Sequence, residues 1–138
     1  TGKIIKSKSK PIIVITSNNE KELPDAFLRR CFFHYIQFPD EFTLSKIIEV
    51  HFPDIKKRLL KKALETFFII RETPGVKKKP STSEMIDWLK LLLVEDIKPE
   101  EITKNEKEIL PKLHGALLKN EQDIQLFEKI AFMNRRDY

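Results

Sequence analysis

Residues 11–19 read Pro-Ile-Ile-Val-Ile-Thr-Ser-Asn-Asn, an apolar run rich in β-branched side chains that closes on small polar residues. Branching at Cβ favours extended backbone, and a run without polar alternation is typical of a strand buried on both faces of a parallel sheet. Residues 11–16 are therefore predicted to form a central strand whose carboxyl end carries the polar residues.

The next segment predicts a short helix and a second strand. Pro24 can occupy the first turn of a helix that runs through Arg30, because the N–H that proline lacks has no partner in a first turn. The aromatic and apolar run at residues 32–38 is typical of a strand. Strand, short helix and strand in this order indicate an α/β arrangement.

After Asp40 the apolar spacing becomes helical. Thr43 can cap a helix of about two turns. Apolar residues that begin at Ile55 recur on one face and predict a long amphipathic helix, which ends at Thr73-Pro74-Gly75. Ser81 and Glu84 have the spacing of a capping box, so a third helix starts there, with a buried stripe of Met85, Trp88, Leu89 and Leu92. Two further helices are predicted over residues 111–120 and 121–133.

The composition fits a folded protein, since 41% of the residues are hydrophobic and 34% are charged. No apolar run approaches the ~20 residues that a membrane-spanning helix needs, and residues 1–10 lack the apolar stretch of a signal peptide. Cys31 has no partner for an intrachain disulfide, and the three histidines are too scattered for a compact metal motif. We therefore expect a soluble, cytoplasmic protein without membrane insertion, a disulfide framework or a bound metal of its own.

The glycine count restricts nucleotide chemistry. The chain has three glycines, and none begins a phosphate-cradling motif of the G-x-x-x-x-G-K-[ST] or G-x-G-x-x-G type. Residues 91–96 resemble a hydrophobic strand that ends in the acidic pair of a Walker B motif, but they continue the helical pattern that starts near Ser81. Any nucleotide chemistry in which this chain takes part must therefore use a P-loop from elsewhere.

Two polar segments follow one another at a fixed distance: Thr16-Ser17-Asn18-Asn19 closes the apolar run, and Leu23-Pro24-Asp25-Ala26-Phe27-Leu28-Arg29-Arg30 comes next. Their order resembles the sensor 1 to arginine-finger region of AAA+ ATPases, and the MoxR-like branch is the closest match. In that branch a hydrophobic strand closes on Thr-x-Asn and is followed by Leu-Pro-acidic-Ala-x-Leu-x-Arg at the same spacing.

The resemblance continues more weakly through Phe38-Pro39-Asp40 and Pro80-Ser81-Thr82-Ser83-Glu84, which look like the last core strand and part of the lid of that family. It implies an α/β fragment over residues 1–40, the end of a parallel-sheet AAA+ core, followed by an all-α helical lid over residues 41–138. The chain as a whole would be predominantly helical.

The resemblance also implies catalytic roles. Asn18 would be sensor 1, because an uncharged amide can donate to a γ-phosphate oxygen and accept from the attacking water at once. Arg30 would be the arginine finger that stabilises charge on the nucleotide of a neighbouring subunit. Asn19 and Arg29 are the adjacent alternatives. Without the motif, Asn18 would simply end a strand in a turn, and Arg30 would complement a helix dipole.

The lid departs from the family pattern. Ser83 stands where a sensor 2 arginine is expected. Either sensor 2 is lost, or one of Lys77, Lys78 and Lys79 reaches the phosphates from the connector before Ser81. We take Lys79 and Ser83, with Asn18, as the candidate nucleotide contacts. The alternative is that the lysine run is only solvated.

By this resemblance the parent protein would bind and hydrolyse ATP with Mg²⁺ as a homo-oligomeric ring, a hexamer, with a chaperone-like role in remodelling or maturing other proteins. The resemblance also implies a von Willebrand factor A domain protein as a partner, and the present chain alone would be inactive. The alternative is a self-contained basic helical module that binds nucleic acid or an acidic protein. A net charge of +5, a pI near 9.3 and the basic face at residues 56–62 permit it.

Overall fold

The computed structural model describes residues 2, 4–17, 22–104 and 109–136. The chain divides into two compact units, Thr1–Gln37 and Phe38–Tyr138. Within the described residues the fold is helical. Its α-helices are α1 (Asp25–Leu28), α2 (Glu41–His51), α3 (Lys57–Glu72), α4 (Thr82–Val94) and α5 (Glu121–Arg136), and short 3₁₀ turns cover Pro99–Glu101 and His114–Ala116.

The prediction of an α/β fragment over residues 1–40 is wrong. Residues 11–17 and 32–38 form no strand, and no sheet exists in the described part of the chain. An apolar, β-branched run favours extended backbone, but a strand also needs a neighbour to which its N–H and C=O groups can bond. Neither run has such a neighbour here, and Ile12 and Val14 remain 95% and 83% exposed. Among the described residues of this unit, α1 is the only helix.

Helix α2 begins earlier than predicted, because its cap is Asp40 and not Thr43. The Asp40 carboxylate accepts a hydrogen bond from the Thr43 backbone N–H at 2.8 Å. Aspartate in this position satisfies one of the orphan donors of the first turn. The helix is therefore eleven residues long, about three turns and not two, with Leu44 and Ile48 on its buried face.

The Asp40 cap predicts an acid-sensitive contribution to stability. Hydrogen bonds from the Thr43 side chain and then from its backbone N–H hold the pKa of Asp40 below its usual value of 3.8. A depressed pKa means that the stabilisation is complete above pH 3.8 and is lost as the pH falls through the folded-state pKa. We expect Asp40→Ala to lower the melting temperature at pH 7. The difference from the unmutated chain should disappear as the pH falls through the folded-state pKa of Asp40, below pH 3.8.

Thermal unfolding followed by circular dichroism between pH 7 and pH 2 measures this difference. Asp54→Ala, at an exposed aspartate between α2 and α3, is the matched control, for which we expect a smaller effect at pH 7. An equal decrease for Asp40→Ala at both ends of the pH range would contradict the role of the ionised cap.

The amphipathic pattern of α3 is confirmed. Seven of its residues are buried, and the helix ends at Thr73 as predicted. Gly75 follows with a φ of 89°, in the left-handed region where a side chain would be strained. The buried face of α3 carries Leu59, Leu60, Ala63, Leu64, Thr66, Phe67 and Ile70.

The capping box of α4 is also confirmed. The Ser81 hydroxyl accepts from the Glu84 N–H at 3.4 Å, and the Glu84 carboxylate accepts from the Ser81 N–H at 2.7 Å. The stripe formed by Met85, Trp88, Leu89 and Leu92 is fully buried, so these residues are core, as predicted. The prediction that residues 91–96 continue the helix is confirmed for Leu91–Val94, which lie in α4. Glu95 is the C-cap of that helix, and Asp96 follows with a φ of 47°.

The prediction of a helix over residues 111–120 is wrong, because this segment forms only the 3₁₀ turn His114–Ala116. Its backbone groups bond instead to distant partners: the Lys112 N–H donates to the Ile102 carbonyl at 2.7 Å, and the Lys112 carbonyl accepts from the Trp88 indole at 2.8 Å. Leu113 has a φ of 58°, which interrupts a right-handed helix. The last prediction is confirmed, with α5 ending at Arg136 and not Met133.

The core of the second unit lies between its helices. α2 packs against α3 and α4, while α4 contacts the 114–116 turn and α3 contacts the 99–101 turn. Phe38 joins this core before α2 begins. Its ring stacks on Phe67 at 6.0 Å between centroids, and the Arg71 guanidinium lies 3.4 Å from the ring centroid. Phe38, the first residue of the second unit, is therefore already part of its core.

Candidate functional site

The predicted arginine finger lies at the end of α1. Pro24 is the N-cap of this helix, and Arg29 is its C-cap, with its N–H bonded to the Asp25 carbonyl at 3.0 Å. Arg30 follows in a turn, and its N–H donates to the Phe27 carbonyl at 3.2 Å. Both arginine side chains are exposed. The backbone is thus held locally, and the two guanidinium groups face solvent.

The predicted sensor 1 residue, Asn18, and its alternative, Asn19, lie outside the described residues. Their roles stay predictions from the motif. Ser17 immediately before them is described and exposed.

The lysine connector is held by a buried acid from α5. Asp123 is 1% exposed, and its two carboxylate oxygens accept from consecutive backbone N–H groups, those of Lys77 at 2.8 Å and Lys78 at 3.0 Å. Burying a carboxylate is costly unless it is hydrogen-bonded, and these two amides supply the bonds. Lys77 also donates from its side chain to Gln122, the neighbour of Asp123.

A second anchor holds the other end of the connector. Arg71 of α3 donates to the Pro80 carbonyl at 2.6 Å, and Pro80 itself is buried. Ser81 follows directly and caps α4. Lys79 lies between the anchors at 77–78 and 80, and its side chain is exposed. A segment with no helix or strand of its own therefore has a defined backbone.

The N-terminus of α4 is less suited to an anion than the lysines are. Glu84 lies in the first turn and places its carboxylate on the Ser81 N–H, so a phosphate at this end of the helix would meet a negative charge. Ser83 is exposed in the same turn. Lys79 and Ser83 thus belong to one region of the second unit, whereas Arg29 and Arg30 belong to the first unit.

The basic face of α3 is partly neutralised. The Arg58 guanidinium donates to Glu100 at 2.6 Å, and Lys61 lies 4.0 Å from Glu65. These four residues line an open groove of about 600 Å³ that also carries Lys62 and Lys104. Because Glu100 and Glu65 are paired with Arg58 and Lys61 there, a nucleic-acid phosphate would have to displace these carboxylates. The geometry adds no support to the alternative of a nucleic-acid-binding module.

A metal site and a membrane span are both absent from the part of the chain that the structure describes. No group of three or more His, Cys, Asp and Glu side chains could hold a metal ion among those residues. No helix there is both long and apolar enough to cross a bilayer. For ATP and Mg²⁺, the described residues offer exposed cations that suit a phosphate, but no glycine loop to cradle it.

Sequence reasoning missed Asp123 and Arg71, the two residues that anchor the connector. A signal for Asp123 was available: Asp123, Phe127 and Ala131 fall on one face of α5 at successive turns, and all three are buried. An acid in line with an apolar face needs a polar partner. No capping or periodic pattern marks Arg71, whose acceptor is the Pro80 carbonyl nine positions away and whose guanidinium lies over the Phe38 ring.

Comparison of the chain with family models, with curated proteins and with solved structures found no match. The family therefore stays a prediction that depends on the residues between Thr16 and Arg30 and on the lid segment near Ser81.

Proposed function

We propose that this chain is the C-terminal part of a MoxR-like AAA+ ATPase. Asn18 acts as sensor 1 on the nucleotide of its own subunit, and Arg30 acts as the finger on the neighbour's nucleotide. The parent protein hydrolyses ATP with Mg²⁺ in a cytoplasmic hexameric ring and uses the energy to remodel or mature other proteins. A partner with a von Willebrand factor A domain fits this role.

The observation that carries the proposal is the pair of exposed guanidinium groups at the end of α1. A cation stabilises charge on a transferring phosphoryl group only if its side chain can reach another molecule. Arg29 and Arg30 are exposed, their backbone is bonded within α1, and a separate helical unit follows from Phe38. This is the order of finger and lid that the sequence motif implies.

The exposed apolar residues of the first unit support the proposal independently. Residues 12–15 place four large apolar side chains in solvent, and Phe32 and Phe33 do the same later in the chain. So many large apolar side chains in solvent are typical of a surface that another molecule covers. A larger ATPase core supplies that cover.

The proposal predicts that ATP binding needs more than this chain. We expect the isolated 138-residue chain to show no ATP binding in the low micromolar range by calorimetry with Mg²⁺, because a sensor and a finger without a P-loop supply too few phosphate contacts. The full-length protein should bind and hydrolyse ATP.

The full-length protein is the control that keeps this test informative. If it hydrolyses no ATP under conditions in which it is folded, the proposed function is wrong. Low micromolar binding by the isolated chain would show instead that it holds a phosphate site of its own.

A further inference from the structure

We propose that the groove between α2 and α3 is a docking site for α5 of a second copy of this chain. The groove has a volume of about 470 Å³ and lies between residues 41–49 of α2 and residues 57–64 of α3. The contact joins the helical units of two copies. It goes beyond the proposed function, in which neighbouring subunits meet at Arg30 and a nucleotide, and it needs neither ATP nor the proposed parent protein.

The interior of the groove is apolar. Leu60 and Leu64 line it from α3 and are buried, whereas Phe42 lines it from α2 with 73% of its surface exposed. The Lys46 ammonium group lies 5.6 Å from the centroid of the Phe42 ring. An exposed phenyl ring beside two leucines is therefore covered only by a flexible side chain, and a partner's apolar side chain can take its place.

The two walls of the groove carry opposite charges. Glu41 and Glu49 line the α2 side, and Lys57 and Lys61 line the α3 side. Lys46 pairs with Glu49 at 3.2 Å, but both side chains are exposed. Exposed ion pairs are weak, so a partner's cation can replace Lys46 on this carboxylate. The occupant that fits is a helix with apolar side chains between cations.

The outer face of α5 has this chemistry. It lies opposite the face that α5 buries, and it consists of four exposed residues at i, i+3, i+4 and i+7: Lys129, Phe132, Met133 and Arg136. Phe132 and Met133 are each 57% exposed. The Arg136 guanidinium lies 5.3 Å from the centroid of the Phe132 ring. Two apolar side chains on this face are thus bracketed by cations.

The charges on the two surfaces have similar spacing. Glu41 and Glu49 are eight positions apart, about 12 Å along a helix, with the exposed phenyl ring between them. Lys129 and Arg136 are seven positions apart, about 10.5 Å, with the apolar pair between them. Glu128 is exposed on the flank of the same face and offers the opposite charge to the α3 wall. Complementary charge in register fixes a docked helix.

A second copy supplies the occupant because one chain carries both surfaces. Within the described residues the groove is lined by α2 and α3 and by no side chain of α5, so each copy leaves its groove open to the helix of another. Two copies can then exchange α5 in a closed pair. One helix end in one groove buries less than the roughly 1,200–2,000 Å² of a stable complex, so we expect weak association, with a Kd in the high micromolar range.

Sedimentation equilibrium of the 138-residue chain over a range of concentrations tests the contact. We expect dimers at high concentration, and we expect Phe42→Gln and Phe132→Gln each to raise the Kd at least about tenfold, because each removes one apolar anchor. Both positions are exposed, so circular dichroism should show an unchanged fold. Val50→Gln is the matched control: Val50 is 79% exposed on α2 but does not line the groove, and its Kd should stay unchanged.

Charge reversal tests whether these two surfaces meet each other. Glu41→Lys with Glu49→Lys should weaken association, and so should Lys129→Glu with Arg136→Glu, although the second pair lowers the net charge of the chain from +5 to +1, since each replacement changes it by two. General charge repulsion predicts stronger association for that variant. All four replacements together keep the net charge at +5 and should restore the Kd, whichever way the helix runs in the groove.

Three outcomes would overturn the inference. The first is a chain that stays monomeric up to roughly 1 mM, where even weak specific contacts form. The second is association that Val14→Gln in the first unit lowers and Phe42→Gln does not, which would assign it to the exposed apolar residues 12–15. The third is a fourfold charge variant that associates no better than its parents. Failure of the full-length protein to hydrolyse ATP would contradict only the proposed function.

Discussion

Replacement of Arg30 by alanine in the proposed ATPase ring should lower ATP turnover by about 10³-fold or more and leave ATP binding nearly intact. A finger guanidinium matters most while charge redistributes on the γ-phosphate, and in GTPases its loss costs about 10³–10⁵ in rate. Binding depends mainly on the P-loop. Arg29→Ala is the matched control, because it removes the same charge from the adjacent exposed position, and we expect a much smaller decrease.

Subunit mixing tests whether Arg30 acts on a neighbour. Arg30→Ala subunits mixed with a P-loop mutant should regain some activity, because a ring can then place an intact P-loop site against an intact finger. Asn18→Ala subunits mixed with the same partner should regain none, since neither subunit then holds both a P-loop and its own sensor. Equal rescue of both mutants would contradict both roles, and a larger loss for Arg29→Ala would assign the finger to Arg29.

The Trp88→Ala substitution should destabilise the helical unit by about 3–5 kcal/mol. Trp88 is fully buried in α4, and its indole N–H donates to the Lys112 carbonyl at 2.8 Å. Truncation leaves a large cavity and removes the partner of that carbonyl in the same step. A loss of this size is a large part of the ~5–15 kcal/mol by which a typical domain is stable.

Urea denaturation of the 138-residue chain measures this loss. Leu91→Ala, on the same helix but 43% exposed, is the control and should cost about 0.5 kcal/mol. Trp88→Phe keeps much of the apolar volume and removes the hydrogen bond, so it should fall between the two. A loss below about 1 kcal/mol for Trp88→Ala would contradict the view that Trp88 holds the 111–120 segment against α4.

The sequence predicts well the elements that are decided locally. Ser81 and Glu84 lie three positions apart and make the capping box that their spacing indicates. The apolar face of α3 follows from helical periodicity alone, and so does its end near Thr73. In each case the residues that carry the pattern lie within the element or directly beside it, so a short window of sequence is enough to predict it, even though the apolar face of α3 packs against α2 and the 99–101 turn.

The predictions that failed depend on partners far away in the chain. A strand at residues 11–16 requires a second strand to which its backbone can bond. The apolar composition of the run does not show whether the fold provides one. A helix at residues 111–120 does not form, because the backbone groups of Lys112 bond instead to Ile102 and Trp88. The candidate site follows the same rule: Arg29 and Arg30 are marked by a local motif, whereas the acid that holds the connector is 46 residues from Lys77.

That separation gives the contact between Asp123 and the connector a place in the order of folding. Closing a loop between Lys77 and Asp123 costs chain entropy that the nearby contacts of α3 and α4 do not incur, so the local helices and the capping box at Ser81 can form before it. During synthesis the lysines leave the ribosome well ahead of α5. We therefore expect the connector to reach its final shape only when α5 docks, so that a nascent chain carries these charges on an unfixed loop until then.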